Sequence, residues 1–186
     1  MALPAPRPAC YEDLFDLPEH LVGEIVGGRL HAHPRPAPKH ARAAATLGRR
    51  VGNPFDDGLG GPGGWWILIE PEIHLGRDIV VPDLAGWRRA RLPRLPATAW
   101  FELVPDWLCE ILSPATARHD RHVKLPLYAQ AGVSHLWLID PEARSLESFD
   151  SRDGRWSSLA LLHNEAQVAQ PPFDAVAFPL DALWAD

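Results

Sequence analysis

Two apolar stretches of the chain each carry one acidic residue, and these acids are the first candidates for chemistry. Asp83 follows the apolar run 79–82, and Glu110 lies inside the apolar run 107–112. Burying a carboxylate in such a strand is costly unless a positive charge compensates for it. The two strands therefore predict that Asp83 and Glu110 share a bound cation. Two alternatives stay open, because Asp83 could cap a turn after Pro82 and Glu110 could pair with a buried arginine.

A lysine close to these acids in the sequence is the third candidate. Only two of the 18 basic residues are lysines, Lys39 and Lys124, and Lys124 lies at or just before a predicted helix. A compact ammonium can approach a water molecule more closely than a guanidinium can, which suits a hydrolytic site. Asp120 lies four residues earlier, so a simple surface ion pair between Asp120 and Lys124 is the alternative interpretation.

Length and composition indicate a soluble globular protein. With 186 residues, 46% hydrophobic and 23% charged, the sequence predicts one domain over residues 1–186, with residues 1–10 as a mobile, proline-rich lead-in. We find no secretory signal and no apolar stretch near the roughly 20 residues of a membrane span. Two cysteines, Cys10 and Cys109, are too few for a disulfide framework. These features predict a cytoplasmic location.

The charge distribution limits how the protein could contact nucleic acid. A net charge of −6 argues against a broad positive surface for non-specific binding. Two loops nevertheless concentrate basic residues, and these could hold phosphates or could be ordinary solvated charges. The first contains Arg88, Arg89, Arg91 and Arg94, and the second contains Arg118, Arg121 and Lys124.

The elements that must position these residues can be predicted from periodicity and turn signals. Gly27-Gly28 predicts a hairpin over 24–31, because paired glycines suit a two-residue turn. Helices are predicted over 11–17, 39–51 and 123–131, and Gly132 would end the last of them. Strands are predicted over 65–70, 72–75, 79–87, from 107, and over 135–139, 145–149 and 156–162. This order predicts an α/β fold with a mixed sheet and too few helices for a doubly wound one.

An ordered series of short motifs resembles the Uma-two family of restriction-endonuclease-like proteins, which is part of the PD-(D/E)XK nuclease superfamily. The resemblance extends from about Tyr11 to Phe149 and depends on the order of the motifs, since none of them is specific alone. They are Val81-Pro82-Asp83, residues 109–114, Asp120, Lys124, Tyr128, Gly132-Val133 and residues 137–141, together with Leu17-Pro18, Glu24, Gly28, Pro38 and His40.

The resemblance implies an α+β, restriction-endonuclease-like fold: a mixed sheet flanked by a few helices, with an N-terminal β-hairpin. It also implies divalent-metal-dependent cleavage of phosphodiester bonds. By position, Asp83 and Glu110 match the first and second metal-binding acids. The sequence departs from the superfamily's acid-x-lysine pattern, because Leu112 stands where the lysine is expected. The resemblance places that lysine on the following helix, as Lys124.

On this interpretation the protein is an endonuclease that hydrolyses DNA with Mg²⁺ or Mn²⁺. Asp83, Glu110 and the backbone carbonyl of Ile111 would be the metal ligands, since hard cations prefer oxygen. Lys124 would hold the attacking water or offset the charge of the transition state. Glu24 is a further catalytic candidate, and lesser candidates that could touch a metal-bound water or orient a ligand are His40 and Asp120.

A second hypothesis is a catalytically inactive nuclease fold that binds nucleic acid or protein. The acidic net charge and Leu112 favour it, whereas Asp83, Glu110 and Lys124 favour the enzyme. Under either hypothesis, apolar edge strands predict a homo-oligomer, most simply a dimer. The glycine pattern of residues 58–63 does not indicate a dinucleotide site, because a strand follows it and not a helix.

Overall fold

The structure is a computed structural model that describes residues 7–184. Residues 1–6 of the predicted lead-in lie outside the described residues. In its remainder the Ala9 N–H donates to the Gly28 carbonyl at 2.8 Å. The mobility of the lead-in stays a prediction.

Twelve strands are described along the chain, and ten of them build two sheets. They are β1 (Leu21–Val26), β2 (Arg29–Pro34), β3 (Trp65–Ile69), β4 (Ile73–Leu75), β5 (Asp78–Val80), β6 (Leu84–Arg88), β7 (Trp107–Ile111), β8 (His135–Asp140), β9 (Ser145–Arg152), β10 (Arg155–His163), β11 (Gln167–Val168) and β12 (Phe178–Pro179). The order in the six-stranded sheet is β10-β9-β8-β7-β6-β3, and in the four-stranded sheet it is β2-β1-β5-β4. β7 and β8 are parallel and their neighbours antiparallel, so the larger sheet is mixed, as predicted.

The α-helices lie between strands along the chain, and those between β7 and β8 connect the parallel pair. They are α1 (Pro38–Phe55), α2 (Ala117–His119) and α3 (Leu125–Ala131), with a π-helical segment at Asp120–Lys124 and short 3-10 helices at Tyr11–Leu14 and Leu180–Leu183. Parallel strands need a crossover connection, and α2, the π-helical segment and α3 supply it. Gly132 ends α3 in the left-handed conformation at φ 91°, as predicted.

The prediction of one strand over 79–87 is wrong. The structure divides this stretch into β5 and β6, which belong to different sheets. Pro82 lies at the division, where its missing N–H cannot contribute to a sheet. The corner formed by Val81, Pro82 and Asp83 therefore carries the chain from one sheet to the other and brings Asp83 to the junction of the two.

Both faces of the six-stranded sheet are buried, and β7 shows how. Trp107, Cys109 and Ile111 face a core cluster that includes α1 residues, whereas Leu108 belongs to a second cluster with Tyr128 of α3. Successive side chains alternate between the faces of a strand. Glu110 therefore points to the α3 face.

The C-terminal segment has little periodic pattern, yet it completes the core beneath α1. β11 and β12 pair as a two-stranded ribbon, and Val168, Phe173, Leu180 and Leu183 are buried. Apolar residues separated by irregular turns give no single period, which is why the sequence does not predict this packing. β3 and β10 form the edges of the larger sheet, and the homodimer expected from such edges stays a prediction.

Candidate active site

Sheet register places the two predicted acids beside each other. β6 and β7 are antiparallel and pair Leu84 with Cys109, so continuing the register by one residue sets Asp83 opposite Glu110. Residues directly opposite in an antiparallel pair point to the same face, with Cβ atoms about 4.5–5.5 Å apart. The Asp83 carboxylate turns towards the end of β7, where its Oδ2 accepts the Ile111 N–H at 2.7 Å.

The other Asp83 oxygen faces a histidine from the first turn of α1. His40 Nε2 lies 3.3 Å from Asp83 Oδ1, while His40 Nδ1 is buried with no hydrogen-bond partner among the described residues. Burial opposes the charged imidazolium, but Asp83 and the Ile111 carbonyl outweigh it, so the pKa of His40 is raised. The ring N–H therefore occupies the place where a cation would meet these two oxygen donors.

Glu110 is buried and receives two donors on one oxygen. Its Oε1 lies 2.8 Å from the Lys124 ammonium and accepts the Tyr128 hydroxyl at 2.5 Å. Tyr128 follows Lys124 by four residues, so both side chains point from the same face of the helical crossover. Oε2 accepts no hydrogen bond from residues 7–184 and is the oxygen left for a ligand.

Glu24 supplies the second carboxylate to the same lysine. Its Oε1 lies 2.8 Å from Lys124 Nζ and also accepts the Val81 N–H at 2.8 Å. This contact ties the first hairpin to the corner that carries Asp83. Lys124 is 2% exposed and Glu24 1%, so the ion pairs are shielded from solvent.

The three buried charges shift one another's pKa values in different directions. Burial works against the Lys124 ammonium, but Glu110 and Glu24 outweigh it and hold its pKa well above the usual value. Burial, reinforced by the negative charges of Asp120 and Asp83, raises the pKa of Glu110 to about 8 against the pull of Lys124. For Glu24, burial is outweighed by Lys124 and the Val81 N–H, and its pKa is lowered. One shared ammonium thus leaves Glu110 as the carboxyl that retains a proton near neutrality.

The π-helical segment begins and ends with a residue that faces inward. Asp120 and Lys124 are each buried, and both line the same cavity. No ion pair within 4.0 Å joins them, so the alternative of a simple surface pair is wrong. π-helical turns are rare and are frequently found at functional sites. Burial raises the pKa of Asp120, although Lys124 and Thr116 oppose the shift.

These side chains meet in a cavity of about 280 Å³ between the two sheets and α1. Its functional lining comprises His40, Asp83, Glu110, Ile111, Asp120 and Lys124. Pro34 to Ala37 and Ser113 to Thr116 are also among its lining residues. Glu24 does not line the cavity and is linked to it through its contact with Lys124. The sequence-predicted candidates are therefore brought together, and their catalytic roles stay proposals.

The donor set can be tested against the cation that the sequence predicts. Within residues 7–184 no group of three or more His, Cys, Asp and Glu side chains is arranged to hold a metal ion. A site built from Asp83, Glu110 and the Ile111 carbonyl would have fewer protein side chains than that and would be completed by water. Mg²⁺ typically binds in this way, through one or two carboxylates and several waters, so the residues present fit it.

Some charged residues lie apart from the cavity, and others that line or support it were not predicted from the sequence. The arginine loop after β6 lines no part of the cavity: Arg89 pairs with Asp56, and Arg91 pairs with Asp106. Tyr128 entered the sequence analysis only as part of the family resemblance, although its spacing from Lys124 could have indicated a shared partner. Glu70 lines the cavity in a left-handed conformation with φ 48°, which no sequence signal marked.

Comparisons with known proteins identify the family and a similar fold. A family model named Uma2 and described as "Putative restriction endonuclease" matches residues 11–181. A solved structure, described as "a putative nuclease belonging to DUF820 from Anabaena variabilis ATCC 29413", is similar in fold with a TM-score of 0.76. It is 21% identical, and the match covers 95% of this chain and 98% of that one. Among proteins with curated descriptions, none matches. The family match supports a nuclease.

Proposed function

Because this chain belongs to the Uma2 family of restriction-endonuclease-like proteins, we propose that it is a metal-dependent endonuclease that hydrolyses phosphodiester bonds in DNA. The observation that carries the proposal is the convergence of two strand carboxylates and one buried ammonium on a single cavity. The oxygen donors favour Mg²⁺ or Mn²⁺.

Each residue has a role that follows from its contacts. Asp83, Glu110 and the Ile111 carbonyl would hold the cation, which supplies Lewis acidity and a more acidic bound water. Lys124 is held protonated by its two carboxylates, so it offsets negative charge on the phosphate and does not accept a proton. Glu24 positions Lys124. His40 lies against Asp83 and can hold a proton at Nε2 beside the reacting centre.

Metal binding and cleavage can be measured together on matched glutamate variants. Wild type should bind Mn²⁺ in calorimetry and cut a mixture of single-stranded, duplex and branched DNA oligonucleotides. Glu110→Gln should lose both properties. Glu147→Gln is the control, because Glu147 lies on β9, outside the cavity, and pairs with Arg121.

Two results would count against the nuclease. Absence of Mn²⁺ binding by the folded wild-type protein would remove the metal site. Binding with no cleavage of any oligonucleotide would favour the inactive module. Residues 7–184 include no helix long and apolar enough to cross a membrane.

A further inference from the structure

The depth of the site restricts the substrate that can reach it. Glu110 is 3% exposed and Lys124 2%, so a phosphodiester must enter the cavity to contact them. The cavity measures about 280 Å³, at or below the lower end of small-molecule sites, which span about 300–1,000 Å³. This space suits one nucleotide. A continuous duplex presents its phosphates on a broad convex surface and cannot place one inside such a recess.

The walls of the cavity have the chemistry of a surface for a sugar or a base. Pro34, Pro36 and Ala37, which precede α1, and Pro114 and Ala115, which follow β7, all line the cavity. Apolar side chains pack against the faces of unpaired bases, which a paired and stacked base does not expose. A phosphate at the polar floor would leave its neighbouring sugar or base against these walls.

The distribution of positive charge also indicates a narrow footprint. Duplex binding depends on many lysine and arginine contacts to the phosphates of both strands. Arg35 and Lys124 are the only lysines or arginines among the residues that line the cavity. Lys124 is occupied by two carboxylates. In the loops predicted to hold phosphates, Arg89, Arg91 and Arg121 pair with acids, while Arg88, Arg94 and Arg118 are exposed and line no part of the cavity.

From these three observations we propose that the cavity admits one strand of DNA, and that the substrate carries an unpaired segment: a single strand, an unpaired end or a flap. The proposal rests on the proposed nuclease function and specifies its substrate. One strand enters the cavity, and its phosphate reaches Asp83 and Glu110 at the floor. Paired DNA beside the unpaired segment would stay outside.

Three labelled DNA substrates of matched sequence test the proposal with Mn²⁺: a single strand, a duplex with a single-stranded flap, and a duplex whose two ends are closed by hairpins. We expect the single strand and the flap to be cut at least tenfold faster than the closed duplex, with cuts inside the unpaired segment. Equal or faster cutting of the closed duplex would overturn the proposal and leave the nuclease function standing.

A tryptophan in the wall tests whether the cavity is the route. Ala115→Trp should slow cleavage of the single strand at least tenfold while Mn²⁺ binding stays unchanged, because Ala115 is exposed and lines the cavity away from the metal oxygens. Ala97→Trp is the control, since Ala97 is exposed in the irregular loop outside the cavity. If both variants cut at the wild-type rate, the strand does not enter through this cavity.

Binding without cleavage separates failure of this proposal from failure of the nuclease function. If wild type cuts none of the three substrates, the nuclease function fails, and fluorescence anisotropy on Glu110→Gln decides the strand preference. Binding of the single strand at least tenfold tighter than the closed duplex supports the proposal. Equal binding of the two overturns it.

Discussion

One aspartate precedes each of the paired strands β6 and β7. The two aspartates accept equivalent backbone hydrogen bonds but lie in different surroundings. Asp83 precedes β6 and accepts the Ile111 N–H at the end of β7, at 2.7 Å. Asp106 precedes β7 and accepts the Arg88 N–H at the end of β6, at 2.9 Å. The arrangement is symmetric about the centre of the strand pair.

The free oxygen distinguishes the two ends. At Asp106 it binds Arg91 at 2.9 Å, a cation that is always charged. At Asp83 it faces His40, whose charge depends on pH, and the cavity with Glu110. An aspartate whose second oxygen is neutralised by arginine has a structural role only. An aspartate whose neighbour is titratable can still bind a ligand. The comparison separates the structural end from the candidate active end.

The two ends of the strand pair should differ most in the free energy of unfolding that is lost when a cationic side chain, Lys124 at one end or Arg91 at the other, is replaced. Lys124→Met leaves Glu24 and Glu110 buried without their ammonium, and we expect the free energy of unfolding to fall by about 3–5 kcal/mol. Arg91→Met removes a half-exposed partner and should cost about 1 kcal/mol at most. Urea unfolding measures both, and equal losses would contradict the comparison.

The second difference should appear in cleavage when each aspartate loses its charge. Asp83→Asn should reduce cleavage by at least about a hundredfold, because substitutions even outside the metal ligands cost 10- to 100-fold. Asp106→Asn keeps the same shape and lies outside the cavity, so cleavage by the folded variant should stay within a few-fold of wild type. Gel assays at saturating Mn²⁺ check this, and loss of activity in Asp106→Asn would remove the distinction.

A third test removes the hydroxyl that supports Glu110. Tyr128→Phe should lower the free energy of unfolding by about 1.5–3 kcal/mol, because the hydroxyl donates to a carboxyl that is otherwise held by Lys124 alone. Denaturant melts of wild type and Tyr128→Phe give the value. Tyr11→Phe is the matched control near the protein surface, and an equal loss there would assign no special weight to the buried hydroxyl.

A fourth test is a pH dependence, which changes by a small step for each pH unit. Glu110 has its pKa raised to about 8, so a divalent cation must displace its proton, and Mn²⁺ affinity should fall about tenfold per pH unit below that value. Stability without metal changes in the opposite sense. Between about pH 4.5 and 8 the folded state binds the extra proton, so the contribution of Glu110 to stability is lost as pH rises. Calorimetry of the wild type from pH 6 to 9 measures the change in Mn²⁺ affinity, and Glu110→Gln should abolish the pH dependence of stability that Glu110 contributes.

Much of the fold could be predicted because its signals are local. The Gly27-Gly28 turn, the apolar β7 and β8 strands and Gly132 each reflect a short-range requirement, and the structure confirms all of them. The single strand over 79–87 failed for the opposite reason. Its apolar run satisfies a strand pattern, and only the assignment of its halves to different sheets decides the break at Pro82.

The residues of the candidate site could be predicted from the sequence, but the contacts between them could not. An acid in an apolar strand marks Asp83 and Glu110 from the sequence alone. Nothing local indicates that Glu24 would share Lys124 with Glu110, or that His40 would face Asp83, because these contacts join residues from distant segments. For the same reason the sequence does not indicate that Arg89 and Arg91 pair with Asp56 and Asp106.

The π-helical turn makes the length of one short segment matter more than its composition. A π-helical turn holds more residues than an α-helical turn, so deleting one residue between Asp120 and Lys124 would leave them three apart instead of four. They would still share one face of the helix, but Asp120 would reach the cavity from a different height and angle.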